Sequence, residues 1–180
     1  RELAKDYPEQ AKLPNIDELK KANEHTNIDD LIIEEENSTV YFNDENMRLD
    51  VGAIAKGFAV ARVTQFAKEN LWVSAAISIG GNVTTYGYKN NDGTTLWKIG
   101  IESPMENAED YSETVSITDL SVVTSGDYQR YFYVGDKKYC HIINPDTLMP
   151  SEYMASVSVL CEDSGLGDAL STTLFNMSID

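Results

Sequence analysis

Leu49-Asp50-Val51-Gly52-Ala53-Ile54-Ala55-Lys56-Gly57 joins an extended segment to a helical one through a glycine-marked turn. Residues 47–50 before it read as a strand. Residues 54–70 after it read as a helix, with Ala59, Val63, Phe66 and Ala67 at i, i+4, i+7 and i+8 as the inward stripe. Upstream, residues 31–34 and 39–42 flank Glu36-Asn37-Ser38 as a β-hairpin. Asn15 with Glu18 makes a capping-box pattern opening a short helix to about residue 23, with Ile16, Leu19 and Ala22 inward. Downstream, strands are expected at 73–79 and 83–88, interrupted by Gly80-Gly81-Asn82, and at 96–101 after an Asn91-Asp92-Gly93 turn. An acidic loop (102–112) precedes strands at 114–118, 120–124, 130–134, 139–143 and 156–161, and a last helix starts near Leu166. This order predicts one α+β domain over 15–180, mostly antiparallel strands with two main helices, behind a polar lead-in at 1–14.

The 180 residues carry a net charge of −16, with 42% apolar and 24% charged residues. That acidity repels nucleic-acid phosphate, so nucleic acid is excluded as a partner and any anionic ligand must be held by local cations or N–H groups. No apolar run approaches the ~20 residues of a membrane span. Cys140 and Cys161 lie in β-patterned runs and read as buried free thiols, bridged only if their strands are neighbours. The chain starts at Arg1 and stops at Asp180 within a helical pattern, and it reads as a piece of a longer protein.

Asp168-Ala169-Leu170-Ser171-Thr172 places a carboxylate and a hydroxyl four residues apart, on one helical face. Such hard oxygens suit Mg²⁺; alternatively Thr172 bonds back to the Asp168 carbonyl while Asp168 caps or solvates the helix. Ser171 is expected to point elsewhere. The 50–57 turn brings helix-start N–H groups and Lys56 to where an anion would sit, although the Walker A spacing is missing. Gly80-Gly81-Asn82 reads either as a bulge or as a place where backbone meets a flat ligand. Thr124-Ser125-Gly126-Asp127 reads as a polar turn able to form a nest of N–H groups. His141, ending an apolar run, is either structural or a phosphate contact and proton carrier. His25 is expected to be solvated.

Taken together, five stretches resemble the ApbE family of FAD:protein FMN transferases, in the family's order and spacing. They are Leu49 to Ala59, Ser78-Ile79-Gly80-Gly81-Asn82, Thr124-Ser125-Gly126-Asp127-Tyr128, His141-Ile142-Ile143-Asn144-Pro145 and Asp168 to Thr172. The resemblance implies the family's α+β fold and Mg²⁺-dependent transfer of FMN from FAD to a Ser or Thr hydroxyl of an acceptor flavoprotein, releasing AMP. It implies a metal held by Asp168, Thr172 and a carbonyl near Ala53. It also implies an FAD site lined by Lys56, Gly80, Gly81, Asn82, Thr124, Ser125, Gly126, Asp127 and His141. His141 is favoured for proton transfer or phosphate stabilisation, with Asp168 as the alternative catalytic group. FAD hydrolysis to FMN and AMP, or flavin binding without catalysis, are the competing readings. The resemblance further implies an extracytoplasmic, membrane-anchored parent. Three departures stand out: Ala61 replaces an acidic residue common on that helix, Cys140 replaces a common serine, and N- and C-terminal parts of the family domain are expected to be missing.

Overall fold

The computed structural model describes residues 10–105 and 111–179. In chain order these form α1 (Ile16–Asn23), β1 (Leu31–Glu34), β2 (Thr39–Phe42), α2 (Ala55–Glu69), β3 (Ala75–Ile79) and β4 (Asn82–Tyr86). There follow β5 (Trp97–Glu102), β6 (Tyr111–Ile117), β7 (Ser121–Gly126), β8 (Tyr131–Val134), β9 (Lys137–Cys140), β10 (Ser156–Cys161) and α3 (Ser164–Phe175). Every pairing among these strands is antiparallel, so the α+β expectation holds. A four-stranded sheet in the order β10-β7-β4-β3 forms the centre, while β1–β2, β5–β6 and β8–β9 stand as separate hairpins.

Strand alternation gives the central sheet two unlike faces. On β7, Ser121, Val123 and Ser125 face the helices: the Ser125 hydroxyl bonds Ser171 on α3, and Val123 packs against Gly167. Val122 and Thr124 face the opposite way and line a cavity shared with β5. The strictly buried apolar set is small. Val60, Val123 and Phe175 are fully enclosed, and Cys140, Ile142 and Phe175 pack with Met154 and Val157.

The helices meet the sheet through small and polar residues. On α3 the buried face is Ser164, Gly167, Asp168, Ser171 and Phe175, whereas Leu166, Leu170 and Leu174 point outward at 55%, 38% and 41% exposure. On α2 the buried stripe is Gly57, Val60, Thr64 and Ala67. Ala67 is buried as expected, but Val63 and Phe66 are exposed, and Val60 and Thr64, one residue after Ala59 and Val63, take the inward positions, a rotation of about 100°. The cause is a backbone-to-backbone approach. A Cβ on residue 57 would run into the Ser164 carbonyl and come within 2.8 Å of the Asp168 Cβ, so glycine must face α3 and the rest of the helix follows that phase.

Several local expectations are corrected. Residues 47–50 form no strand; Met47 is buried, and Asp50 Oδ1 instead accepts the Gly52 N–H at 2.7 Å, closing an Asx turn. Gly80-Gly81 is neither bulge nor mere interruption. It is a two-residue hairpin turn between β3 and β4, with Ile79 opposite Asn82 and φ of +57° and +91°. Thr124, Ser125 and Gly126 belong to β7 and pair with Ser158, Val157 and Ser156 of β10, so they make no nest-forming turn. Tyr111 and Ser112, expected in the acidic loop, open β6; residues 106–110 of that loop lie outside the described residues, as do 1–9 of the lead-in. On α1 only Leu19 of the expected inward set is partly covered. Its N-cap Asn15 accepts from Asp17 N rather than completing a box with Glu18. His25 is not merely solvated, since its Nδ1 lies 2.6 Å from Asp44 Oδ2, a contact that draws the Asp44 carboxyl below its ordinary pKa.

Both cysteines are free thiols, on strands of different sheets. Cys140 is buried at 4% exposure and Cys161 is half-buried; burial pushes both thiols above their ordinary pKa. A disulfide-exchange reagent at pH 8 should therefore modify Cys161 first and Cys140 only on unfolding, with two thiols counted in denaturant. Gly57→Ala should cost about 3 kcal/mol of urea stability, the upper range for overpacking a close contact.

Candidate active site

Asp168 is the centre of the polar layer between α2, α3 and β7. It is 2% exposed, and its two oxygens have different partners. Gly57 N–H donates to Oδ2 at 2.9 Å, and Lys56 Nζ lies 3.2 Å from Oδ1. α2 begins at Ala55, so the Gly57 N–H is one of the first-turn donors that a helix leaves unpaired, and Asp168 takes it up. The Ala53 carbonyl, just ahead of the helix, accepts no backbone N–H among the described residues. The Lys56 stem lies along the β3–β4 turn, where a Cβ on Gly80 would come within 2.9 Å of Lys56 Cδ.

A set of hydroxyls gathers at the backbone carbonyl of the same residue. Ser125 Oγ lies 2.9 Å from Ser171 Oγ and 3.3 Å from Thr172 Oγ1. Ser171 and Thr172 hydroxyls both donate back to the Asp168 carbonyl, at 3.0 and 3.2 Å. Thr172 thus makes the helix back-bond weighed as the alternative to a ligand role, while its oxygen keeps acceptor capacity toward Ser125. Asp168 does not cap the helix. Asp163 does, accepting from Gly165 and Leu166 N–H at 2.7 and 3.0 Å. Ser171, expected to point elsewhere, is fully buried and joins the cluster; its i+3 relation to Asp168 was the signal available.

The structure brings together Lys56, Gly57, Gly80, Ser125, Asp168, Ser171 and Thr172. Other nominated residues have different surroundings. Thr124 bonds Ser158 at 2.7 Å and lines a cavity of about 400 Å³ with Gly81, Ile99, Glu102, Tyr128 and Gln129. Sequence reasoning missed the cavity's Ile99 and Glu102, because the β5–β6 hairpin carries no motif. Burial pushes the Tyr128 phenol above its ordinary pKa, against a smaller pull from Ser156. Asp127 pairs with Lys138 at 3.1 Å, and Gly126 packs under the Tyr128 ring. His141 follows β9 rather than lying within it, half-buried, with Nδ1 3.2 Å from the Arg130 carbonyl oxygen. A carbonyl oxygen only accepts, so Nδ1 is the donor in that contact. Asn82 is fully enclosed, and neither its Oδ1 nor its Nδ2 finds a hydrogen-bond partner among the described residues.

The ApbE family profile matches residues 2–180. The chain belongs to the ApbE family. It is 35% identical over 152 residues to an FAD:protein FMN transferase of Klebsiella pneumoniae, covering 84% of this chain and 46% of that protein. It is 37% identical over 144 residues to one from Treponema pallidum, covering 76% and 40%. Among solved structures, the ApbE protein of Thermotoga maritima superposes with a TM-score of 0.84 at 33% identity, over 94% of this chain and 53% of the other. The Pseudomonas stutzeri flavinyl transferase ApbE gives 0.77 at 28% identity, over 94% and 51%. The chain thus spans about half the length of the relatives it matches.

The donor set fits a small hard cation. A buried carboxylate, the Ala53 carbonyl just ahead of α2 and a group of hydroxyls are all oxygen donors, and the Lys56 ammonium stands on the carboxylate. Asp168 is the only carboxylate in this set; no cluster of three or more His, Cys, Asp or Glu occurs among the described residues. For Asn82, leaving both amide atoms unpaired costs folding energy that only a ligand or water recovers. Asn82→Leu should therefore hold or raise urea stability, by up to about 1 kcal/mol, read from denaturant unfolding.

Proposed function

We propose that this chain carries the reacting centre of a Mg²⁺-dependent FAD:protein FMN transferase. Family membership supports the reaction class. The single observation that supports the reaction's location is the buried Asp168 carboxylate, fixed by Gly57 N–H and faced by Lys56.

In the proposed reaction, a Ser or Thr hydroxyl of an acceptor flavoprotein attacks the FMN phosphorus of FAD. A new P–O bond forms, the P–O bond of the diphosphate bridge breaks, and AMP leaves with the bridging oxygen. A bound Mg²⁺ would neutralise the charge that grows on the phosphate oxygens and the leaving AMP. Asp168, the Ala53 carbonyl and the Thr172 hydroxyl would hold that ion. Lys56 places its ammonium beside the same region and would pair with phosphate oxygens. Asn82 offers an amide whose two hydrogen-bonding ends have no partner among the described residues, and a ligand reaching it would have to part the residues that enclose it. His141, which contacts the Arg130 carbonyl through Nδ1, is the favoured group for taking the acceptor hydroxyl's proton or stabilising phosphate. The resemblance also supports an extracytoplasmic setting, with the parent protein tethered to the membrane.

The test combines the chain with FAD, Mg²⁺ and a purified acceptor domain. Transfer leaves flavin fluorescence on the acceptor band of a denaturing gel, with one AMP released per label. Free FMN and AMP without labelling would mean hydrolysis instead. Asp168→Ala should lower product formation at least about 100-fold, the scale of losing a key electrostatic stabiliser. Undiminished activity of that variant would remove the metal reading. Thr172→Val should raise the Mg²⁺ concentration for half-maximal rate about 10-fold, with stability changed by less than about 1 kcal/mol.

A further inference from the structure

Lys56 holds a position that its own chemistry does not require. A carboxylate at 2% exposure needs compensation, and Asp168 receives it from two independent sources. The Gly57 N–H is rigid, part of the α2 backbone, and occupies Oδ2. The Lys56 ammonium sits at the end of a flexible stem, is about one-third exposed, and occupies Oδ1. Asp168 is its only ion-pair partner among the described residues. The stem passes over Gly80, whose missing Cβ leaves the room it uses, and φ of +57° keeps larger residues from that position.

We propose that Lys56 is a resident counter-ion: its ammonium must leave Asp168 Oδ1 before a divalent cation can be held there, and leaving delivers it to the anionic ligand. This rests on the metal reading given above. A divalent ion bonds a carboxylate oxygen directly, at about 2.1 Å for Mg²⁺. An ammonium at 3.2 Å from the same oxygen would be repelled by it. The exchange needs no backbone movement, because the Gly57 N–H keeps the carboxylate in place while Oδ1 changes partners. Once released, Lys56 swings along the Gly80 turn toward solvent, where a phosphate supplies the negative charge it has lost. Metal and phosphate would then favour each other's binding, since each removes an obstacle to the other. An empty site would also stay electrically balanced and hydrogen-bonded, holding its shape without a ligand.

The test is Mn²⁺ binding to the full 180-residue chain, read from the free-ion electron paramagnetic resonance signal with no nucleotide present. Lys56→Met should bind Mn²⁺ about 10-fold more tightly than wild type, a coupling of ordinary size. Lys56→Arg, which keeps the charge, should stay near wild type. Asp168→Asn should lose binding whether or not Lys56 is present. Lys56→Gln provides a second neutral variant if Lys56→Met melts early by circular dichroism. Wild-type binding with equal or weaker affinity in both neutral variants would overturn the counter-ion role while leaving the metal site standing. No binding by wild type or by any variant would overturn the metal reading and this inference together.

Discussion

The hydrogen bond from Gly57 N–H to Asp168 Oδ2 joins residues 111 positions apart and sets most of what surrounds it. It exists only because two helices touch backbone to backbone, which glycine alone permits at position 57. The contact hides a carboxylate from water and pairs a helix-start N–H that has no partner within its own helix. It also fixes the rotation of α2, and so which side chains of that helix reach the sheet. One bond therefore fixes the position of the charge, its complement and the helix phase.

Around that bond the interior is held by hydroxyls as much as by hydrocarbon. Thr84 bonds Ser121, Thr124 bonds Ser158, and Ser125 reaches both Ser171 and Thr172. Such pairs contribute about 1 kcal/mol each, and they are costly to break singly because the abandoned partner stays buried. The leucines that would usually fill a helix–sheet interface lie on the outer side of α3. Its amphipathic sense is reversed, with chemistry facing in and oil facing out.

The strand content was legible because apolar runs bounded by glycine, asparagine and aspartate leave few choices; β1, β2 and β10 fall where the pattern puts them. The motif residues were legible as chemistry, and Lys56, Asp168 and Thr172 do gather with Ser125. Helix phase was not legible, because periodicity rewards large side chains whereas this interface selects small ones. Nor was the place of Thr124–Gly126, whose small hydroxyls look like a turn but pair along β10. The role of Ser171 depended on a neighbour from another strand, a long-range fact that no window of sequence contains.

The buried Ser164 hydroxyl, enclosed at the head of α3 with no partner among the described residues, carries a lesson for anyone improving this protein by selection. Sorting a mutant library by heat resistance alone rewards replacing such groups with hydrocarbon, because the folded state never used their bonding capacity. The winners of that sort would shed interior polar groups whatever else those groups do. Breeding a tougher version therefore requires scoring survival and function in the same round.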